Sequence, residues 1–176
     1  MKRRDFVKTT IISGAAAAIL PRTGFAQLKP GNMTPFYYEL RTYTLKDANQ
    51  QRLVEDYLEK AAIPALNRLG IKNVGVFTEL KPSGQSIVVA LIPYQSIHEF
   101  ETINNKLEQD KRYITEGAAY LNAPATQPAY ERINSSLLKA FKSMPGLALP
   151  AKDKRIFELR RYEHASEAAG TKKREM

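Results

Sequence analysis

The chain has 176 residues, with Lys+Arg 27 against Asp+Glu 18, a net charge of +9, 43% hydrophobic residues and neither cysteine nor tryptophan. That balance describes one ordinary globular domain with additions, and it excludes disorder, collagen and disulfide scaffolds. The lack of cysteine also removes thiolate zinc sites, iron–sulfur clusters and cysteine nucleophiles, since each needs a sulfur.

Residues 1–26 read as a twin-arginine signal peptide. A basic start precedes an apolar run from Thr9 to Leu20, and the small residues Gly24 and Ala26 occupy the −3 and −1 places of a signal-peptidase site, with cleavage after Ala26. The run is about a dozen residues long, too short to cross a bilayer. Arg3, Arg4, Phe6 and Lys8 resemble the R-R-x-F-hydrophobic-K export motif, departing from it in Lys2, where Ser or Thr is usual. A short amphipathic helix fits less well, because Ala15 to Ala18 has no polar face; an uncleaved anchor is the remaining alternative. The expected location is periplasmic or extracellular, with membrane contact only through the signal peptide before cleavage. Cleavage removes Lys2, Arg3, Arg4, Lys8, Arg22 and Asp5, so the charge falls from +9 to +5. Much of the basic excess is therefore an address. The rest is dispersed apart from Lys172-Lys173-Arg174, and no basic stripe with interleaved aromatics marks a nucleic-acid surface.

Residues 27–35 are rich in Pro, Gly and Asn and read as a tether. Phe36 to Leu45 is aromatic and β-branched with alternation, the pattern of a strand. Lys46 to Leu69 places one apolar pair per turn and has Asp47 as its N-cap, so it predicts a helix with a single buried stripe. Pro64 should kink or split it near Ala62-Ile63, and Gly70 is placed to end it. Residues 72–80 and 86–94 predict two strands joined by the turn residues Lys81 to Gln85. Ser96-Ile97-His98-Glu99 is a capping box that opens a second helix, followed by a helical stretch from Asp110 to Leu121 and a fourth strand over Pro128 to Asn134. The order β-α-β-β-α-β is the split-βαβ, ferredoxin-like α+β plan, with both helices on one face of a four-stranded antiparallel sheet.

The sequence then repeats itself. Tyr38-Glu39-Leu40-Arg41-Thr42-Tyr43 returns as Phe157-Glu158-Leu159-Arg160-Arg161-Tyr162, with four identities in six. The second copy predicts a strand and then a helical start capped by Ser166. The organisation expected is a first unit over 36–141, a linker over 142–154, and over 155–176 the incomplete start of a second such unit, as in a fragment of a tandem protein.

Three stretches carry a family resemblance: the paired E-L-R-x-Y strands, Ala62 to Lys72 running into Val74 to Phe77, and Ser135 to Phe141. Together they resemble the NIPSNAP family over 36–176. The resemblance implies tandem ferredoxin-like units packed sheet to sheet, the dimeric α/β-barrel arrangement. It implies no single reaction: animal members are mainly mitochondrial with partner-binding roles, and more distant barrel relatives include small monooxygenases, haem-using enzymes and lactone isomerases. This chain departs from the pattern in being truncated and exported.

Alternation puts Tyr38, Leu40 and Thr42 on one face of the first strand and Glu39, Arg41 and Tyr43 on the other, and the second copy sorts in the same way with Glu158, Arg160 and Tyr162. Helices must cover the apolar face, so the Glu/Arg/Tyr face is left for an opposing sheet. Two such faces would enclose a lumen for a small polar or anionic ligand, with Arg41 and Arg160 as clamps and the tyrosines as donors. The competing reading is that Glu39 and Glu158 pair with their neighbouring arginines and satisfy charge at a sheet interface. His98 and His164 read as exposed residues with no metal-ligand spacing, and no metal, haem or other cofactor is expected. No phosphate loop and no G-x-S-x-G elbow occurs. Tyr113, Tyr120, Phe100 and Phe77 read as core packing. Three functions stay open: a small-molecule binder with its site in the barrel interior, a non-catalytic interaction or scaffold protein, and a cofactor-independent monooxygenase- or isomerase-like enzyme. Its expected assembly is a homo-oligomer or an intramolecular pseudo-dimer.

Overall fold

In the computed structural model, residues 36–81, 84–150 and 155–175 are described, all within the unit Asn32–Met176. The signal-peptide and tether expectations lie outside the described residues, as do Pro82 and Ser83 of the hairpin turn and 151–154 of the linker.

Strand β1 (Tyr37–Leu45) is followed by helix α1 (Ala48–Asp56). The Asp47 carboxylate caps α1, accepting from the backbone N–H of Asn49 at 2.9 Å and of Gln50 at 3.0 Å. The chain does not break at Pro64. Instead Tyr57–Ala62 winds as a π-helix, with the Ile63 N–H donating to the Leu58 carbonyl, and α2 (Ile63–Arg68) continues with Pro64 in its first turn. A proline ring collides with the carbonyl four residues earlier and offers it no N–H. The wider turn accommodates that conflict, the helix changing form at Ala62-Ile63 where the sequence places the disturbance, and it carries Tyr57, Leu58, Ala61 and Ala62 into the core. The helix ends in a Schellman motif, with the Ile71 N–H on Leu66 O at 2.9 Å and the Gly70 N–H on Asn67 O at 3.2 Å. Gly70 sits at φ +94°, where a side chain would be strained.

Strands β2 (Gly75–Thr78) and β3 (Ser86–Tyr94) form the hairpin. Helix α3 (Ile97–Glu108) starts at Ser96, whose Oγ accepts from the Glu99 N–H at 3.1 Å. The Glu99 carboxylate reaches back to the Gln95 N–H at 2.6 Å, one residue beyond the usual reciprocal partner, the Ser96 N–H. The next helical stretch is two pieces, α4 (Lys111–Glu116) and α5 (Ala118–Leu121), joined at Gly117. Strand β4 (Arg132–Lys139) begins later than the 128–134 expected from sequence. Pro128 is kept out of the ladder because the Gln50 amide donates to its carbonyl at 2.8 Å, and pairing opens only where the Glu131 N–H meets Thr44 O at 2.9 Å. From there β4 pairs along β1 from Thr44↔Arg132 to Tyr37↔Lys139.

The sheet order is β2-β3-β1-β4 with every neighbouring pair antiparallel, the ferredoxin-like α+β plan. The helices cover one face of it. The core there includes Tyr43, Leu45, Val54, Tyr57, Ala65, Val88, Ala90, Tyr94 and Ile103.

Which face they cover reverses the sequence expectation. Glu39, Arg41 and Tyr43 lie opposite Ile92, Ala90 and Val88 in the ladder, and those β3 residues are core residues packed under the helices. The open face carries Tyr38, Leu40 and Thr42 with Ile87, Val89, Leu91 and Phe77. The physical reason is that Glu39 and Arg41 neutralise each other, so the face that looked polar can be buried, whereas β3 is apolar on both sides.

The second motif copy forms no strand: Phe157 to Tyr162 has no regular secondary structure and joins no ladder of the sheet. A lone strand has no hydrogen bonds to close. Phe157 packs edge-on against Phe77 with ring centroids 5.1 Å apart. The helical start does form, as α6 (Glu167–Glu175), and the Ser166 Oγ accepts from the Ala169 N–H at 3.3 Å.

Candidate functional site

The candidate site is centred on the Glu39 carboxylate, 3% exposed beneath the helices. Arg41, two residues on along the same strand face, donates from Nε to Oε1 at 2.9 Å and from Nη2 to Oε2 at 3.0 Å. β3 adds the Tyr94 hydroxyl, which donates to Oε2 at 3.1 Å. β4 adds the Ser135 hydroxyl, which donates to Oε1 at 2.7 Å. An ionised carboxylate has about four lone-pair sites. All are engaged, so Glu39 holds the cluster together and has no lone pair left for a ligand or a transferred proton.

Around this pair stands a set of tyrosines. Tyr43 continues the β1 face with a buried hydroxyl that makes no well-formed hydrogen bond among the described residues, its polar neighbours being Arg41 and Tyr120. Its ring meets Tyr120 and Tyr130 edge-on. Tyr57, from the π-helical turn, stacks on Tyr120 with centroids 3.9 Å apart, and its hydroxyl lies 2.8 Å from that of Tyr113. Burial raises the ionisation of Tyr43, Tyr57, Tyr94 and Tyr120 above its ordinary range, and the Arg41 charge opposes this only in part at Tyr43, Tyr94 and Tyr120. At neutral pH these hydroxyls are donors. For the Arg41 guanidinium, burial works against the charge, but contact with the Tyr43 oxygen and the Glu39 carboxylate outweighs it and holds the cation.

Arg41 keeps a quarter of its side chain exposed and lines a cavity of ≈ 20 Å³ between sheet and helices, with Tyr57, Tyr94 and Asn104 as the other polar walls and Leu58, Ile92 and Ile103 among the apolar ones. That is room for about one water molecule. Its chemical capacity is to donate hydrogen bonds, from Arg41 and the tyrosines, to an oxygen on something otherwise apolar.

Of the residues singled out in the sequence, Glu39, Arg41 and Tyr43 come together here. Glu158, Arg160 and Tyr162 do not join them. Arg160 Nη2 pairs with Glu158 Oε2 at 2.7 Å on the surface, with both side chains about two-thirds exposed, and Lys173 Nζ sits 4.9 Å above the Tyr162 ring. The hydrogen bond to Glu158 favours the Arg160 cation further. His98 and His164 are exposed, and no metal-binding group of His, Asp or Glu occurs among the described residues. Tyr94, Ser135, Tyr57 and Asn104 were not anticipated. The signal available for Tyr94 was the alternation of Ser86–Tyr94, which puts Val88, Ala90, Ile92 and Tyr94 on one face.

A four-stranded antiparallel sheet with its helices on one face defines a ferredoxin-like α+β module. The NIPSNAP family model matches residues 38–145, and the chain belongs to that family. No curated protein matches the sequence. Among solved structures, the chain is similar to a NIPSNAP-like domain protein from Burkholderia xenovorans, at 18% identity and TM-score 0.49, covering 67% of this chain and 97% of that one. It is also similar to two NIPSNAP family proteins from Agrobacterium tumefaciens. One gives 19% identity and TM-score 0.48 over 64% of this chain and 91% of that one. The other gives 19% identity and TM-score 0.47 over 63% and 93%.

Proposed function

We propose that this NIPSNAP-family chain is an exported protein that binds a small polar or anionic molecule through an oxygen acceptor, in the cleft between its sheet and its helices. The observation that supports this reading is the Arg41 guanidinium, a quarter exposed and lining a cavity in which Tyr57, Tyr94 and Asn104 are the other polar groups. A cationic, donor-only guanidinium beside neutral hydroxyls favours an incoming oxygen acceptor. The site differs from the lumen expected between two sheets, because its residues face the helices. Native mass spectrometry of the full chain and of Arg41→Met tests it: a bound small mass in the first and none in the second supports the reading. The same retained mass in both, or a bare protein in both, refutes it.

A second reading rests on the open sheet face. Leu40, Ile87, Val89, Leu91 and Phe77 are apolar and only half-buried there, and Leu138 is exposed, a surface suited to sheet-to-sheet pairing of two copies. Sedimentation of the mature chain tests that, with a monomer at all concentrations as the contrary result. Monooxygenase- or isomerase-like catalysis finds less support, since Glu39 has no free lone pair with which to take a proton.

A further inference from the structure

We infer that the outer edge of β4 is an interaction surface for a second copy of this chain, whose own β4 pairs with it antiparallel about a twofold axis through Ser135 and joins the two sheets into one. The inference is independent of the Arg41 reading. It also differs from face-to-face pairing, because it uses the backbone groups of the sheet edge.

The two edges of the sheet are not alike. β2 is four residues long, and a short edge offers little to an incoming strand. β4 has eight residues, and apart from half-buried Ile133 all of them are exposed. Natural edges are commonly guarded by a proline, a central lysine or a bulge. Ile133 to Leu138 holds no charge and no proline, and its register with β1 is unbroken. The Ala140 N–H donates to Phe36 O at 2.9 Å. By alternation the even-numbered residues of β4 turn their N–H and C=O toward β1, so Ile133, Ser135 and Leu137 turn theirs outward.

The side chains select the occupant. A twofold axis normal to the sheet sets same-face residues of the two strands opposite each other, which leaves two well-overlapped registers. With Ser136 on the axis, Ile133 faces the partner's Lys139 and Leu137 faces the partner's Ser135, each apolar side chain against a polar one. With Ser135 on the axis, Ile133 faces the partner's Leu137, Asn134 faces the partner's Ser136, and Glu131 faces the partner's Lys139. Arg132 then lies beside the partner's Leu138, which its aliphatic stem can cover. Glu131 accepts from the Gln50 amide of α1, and Lys139 lies over the ring of Tyr37, which packs against the core. Both charges therefore stand on the helix-covered side, where they can meet. The twofold repeats each contact, giving two apolar pairs and two opposite-charge pairs, both kinds stabilising across strands. A strand that complements itself in polarity and in charge fits a second copy of itself.

The test is sedimentation of the full chain over a range of concentrations, with variants that spare Ser135 and have been shown folded by thermal melts. Glu131→Lys and Lys139→Glu each turn two attractive pairs into two repulsive ones and should weaken dimerisation by about tenfold. The double variant Glu131→Lys/Lys139→Glu should restore it. Leu137→Pro removes an outward N–H without touching the β1 ladder and should abolish the dimer, whereas Val89→Glu on the open face should leave it unchanged. Single variants that weaken the dimer without rescue in the double overturn the register and the inference with it. A dimer indifferent to the charge swaps and to Leu137→Pro also overturns the inference, and if Val89→Glu dissolves that dimer the face-to-face reading stands. A monomer at every concentration overturns both.

Discussion

Arg41→Met, compared with Glu39→Gln and the double variant, measures how far the cluster under the helices is one unit. Removing the guanidinium leaves Glu39 buried at 3% exposure with only the Tyr94 and Ser135 hydroxyls as donors. Breaking a buried pair from one side costs about 3–5 kcal/mol. Arg41 keeps a quarter of its side chain in solvent and two donors remain, so the expected loss lies at the low end, about 3 kcal/mol. Glu39→Gln keeps the shape and one acceptor oxygen but strands the cation, which still reaches solvent; the expected loss is about 1–2 kcal/mol. Without either charge, the double variant has no uncompensated ion, and it should be less destabilised than the two singles together by about 1–2 kcal/mol. Urea unfolding followed by far-ultraviolet circular dichroism, read at constant slope, gives all four stabilities. Losses that add to within about 0.5 kcal/mol refute the coupling; so does an Arg41→Met variant as stable as the parent.

Burial raises Tyr43, Tyr57, Tyr94 and Tyr120 above their ordinary 10.0, so the stability they contribute is whole below pH 10.0 and is lost as pH rises beyond it toward their raised values. Near-ultraviolet titration should show these four ionising only together with unfolding, and a smooth titration of every tyrosine near 10 would contradict that. Asp47 and Asp110 run the other way. Backbone N–H groups, with Arg68 also acting on Asp110, hold both below the ordinary 3.8, so their stabilisation is complete above that value and is lost as pH falls through the depressed ones. Acid unfolding of Asp110→Asn should therefore be shallower than that of the parent over this range. Gly117→Ala should destabilise by about 1–3 kcal/mol, since a Cβ there would meet Tyr113 O at 2.8 Å and Ala61 Cβ at 3.3 Å; a variant with unchanged thermal midpoint would refute the close packing of α4 and α5 on the π-helical turn.

The sheet plan was legible because it rests on local signals. Asp47 and Ser96 mark the helix starts, Gly70 marks an end, and the runs of Tyr37–Leu45 and Ser86–Tyr94 have no other regular structure open to them. The π-helical turn was half legible: Pro64 announces a disturbance, but whether a helix breaks or widens depends on what its neighbouring residues bury. The start of β4 was not legible, because it is set by Gln50 and Thr44, which lie far away in sequence from Pro128 and Glu131. The choice of sheet face failed for an instructive reason. A rule that sends charged residues outward treats Glu39 and Arg41 one at a time, whereas on a strand they are neighbours on one face and enter the core as a neutral pair.

The repeated motif separates what is local in that pair from what is not. Glu158 and Arg160 form the same contact as Glu39 and Arg41, at 2.7 Å, on an exposed segment with no ladder around it. E-L-R therefore makes its ion pair without a sheet around it. The motif by itself is no site. What turns the first copy into a candidate is the addition of partners from elsewhere: Tyr94 across one ladder, Ser135 across the other, and Tyr57 and Asn104 from the covering helices. Ser135 stands 96 residues from Glu39, and it reaches the carboxylate only because β4 pairs Arg41 with Ser135. A one-residue slip of that strand would turn Ser135 to the open face, but it would bring Ser136 or Asn134 opposite Arg41 in its place, each again able to donate. The polar run Asn134-Ser135-Ser136 thus protects the fourth contact against a shift of register, and only removal of the hydroxyl itself, as in Ser135→Ala, would leave Glu39 with a free lone pair.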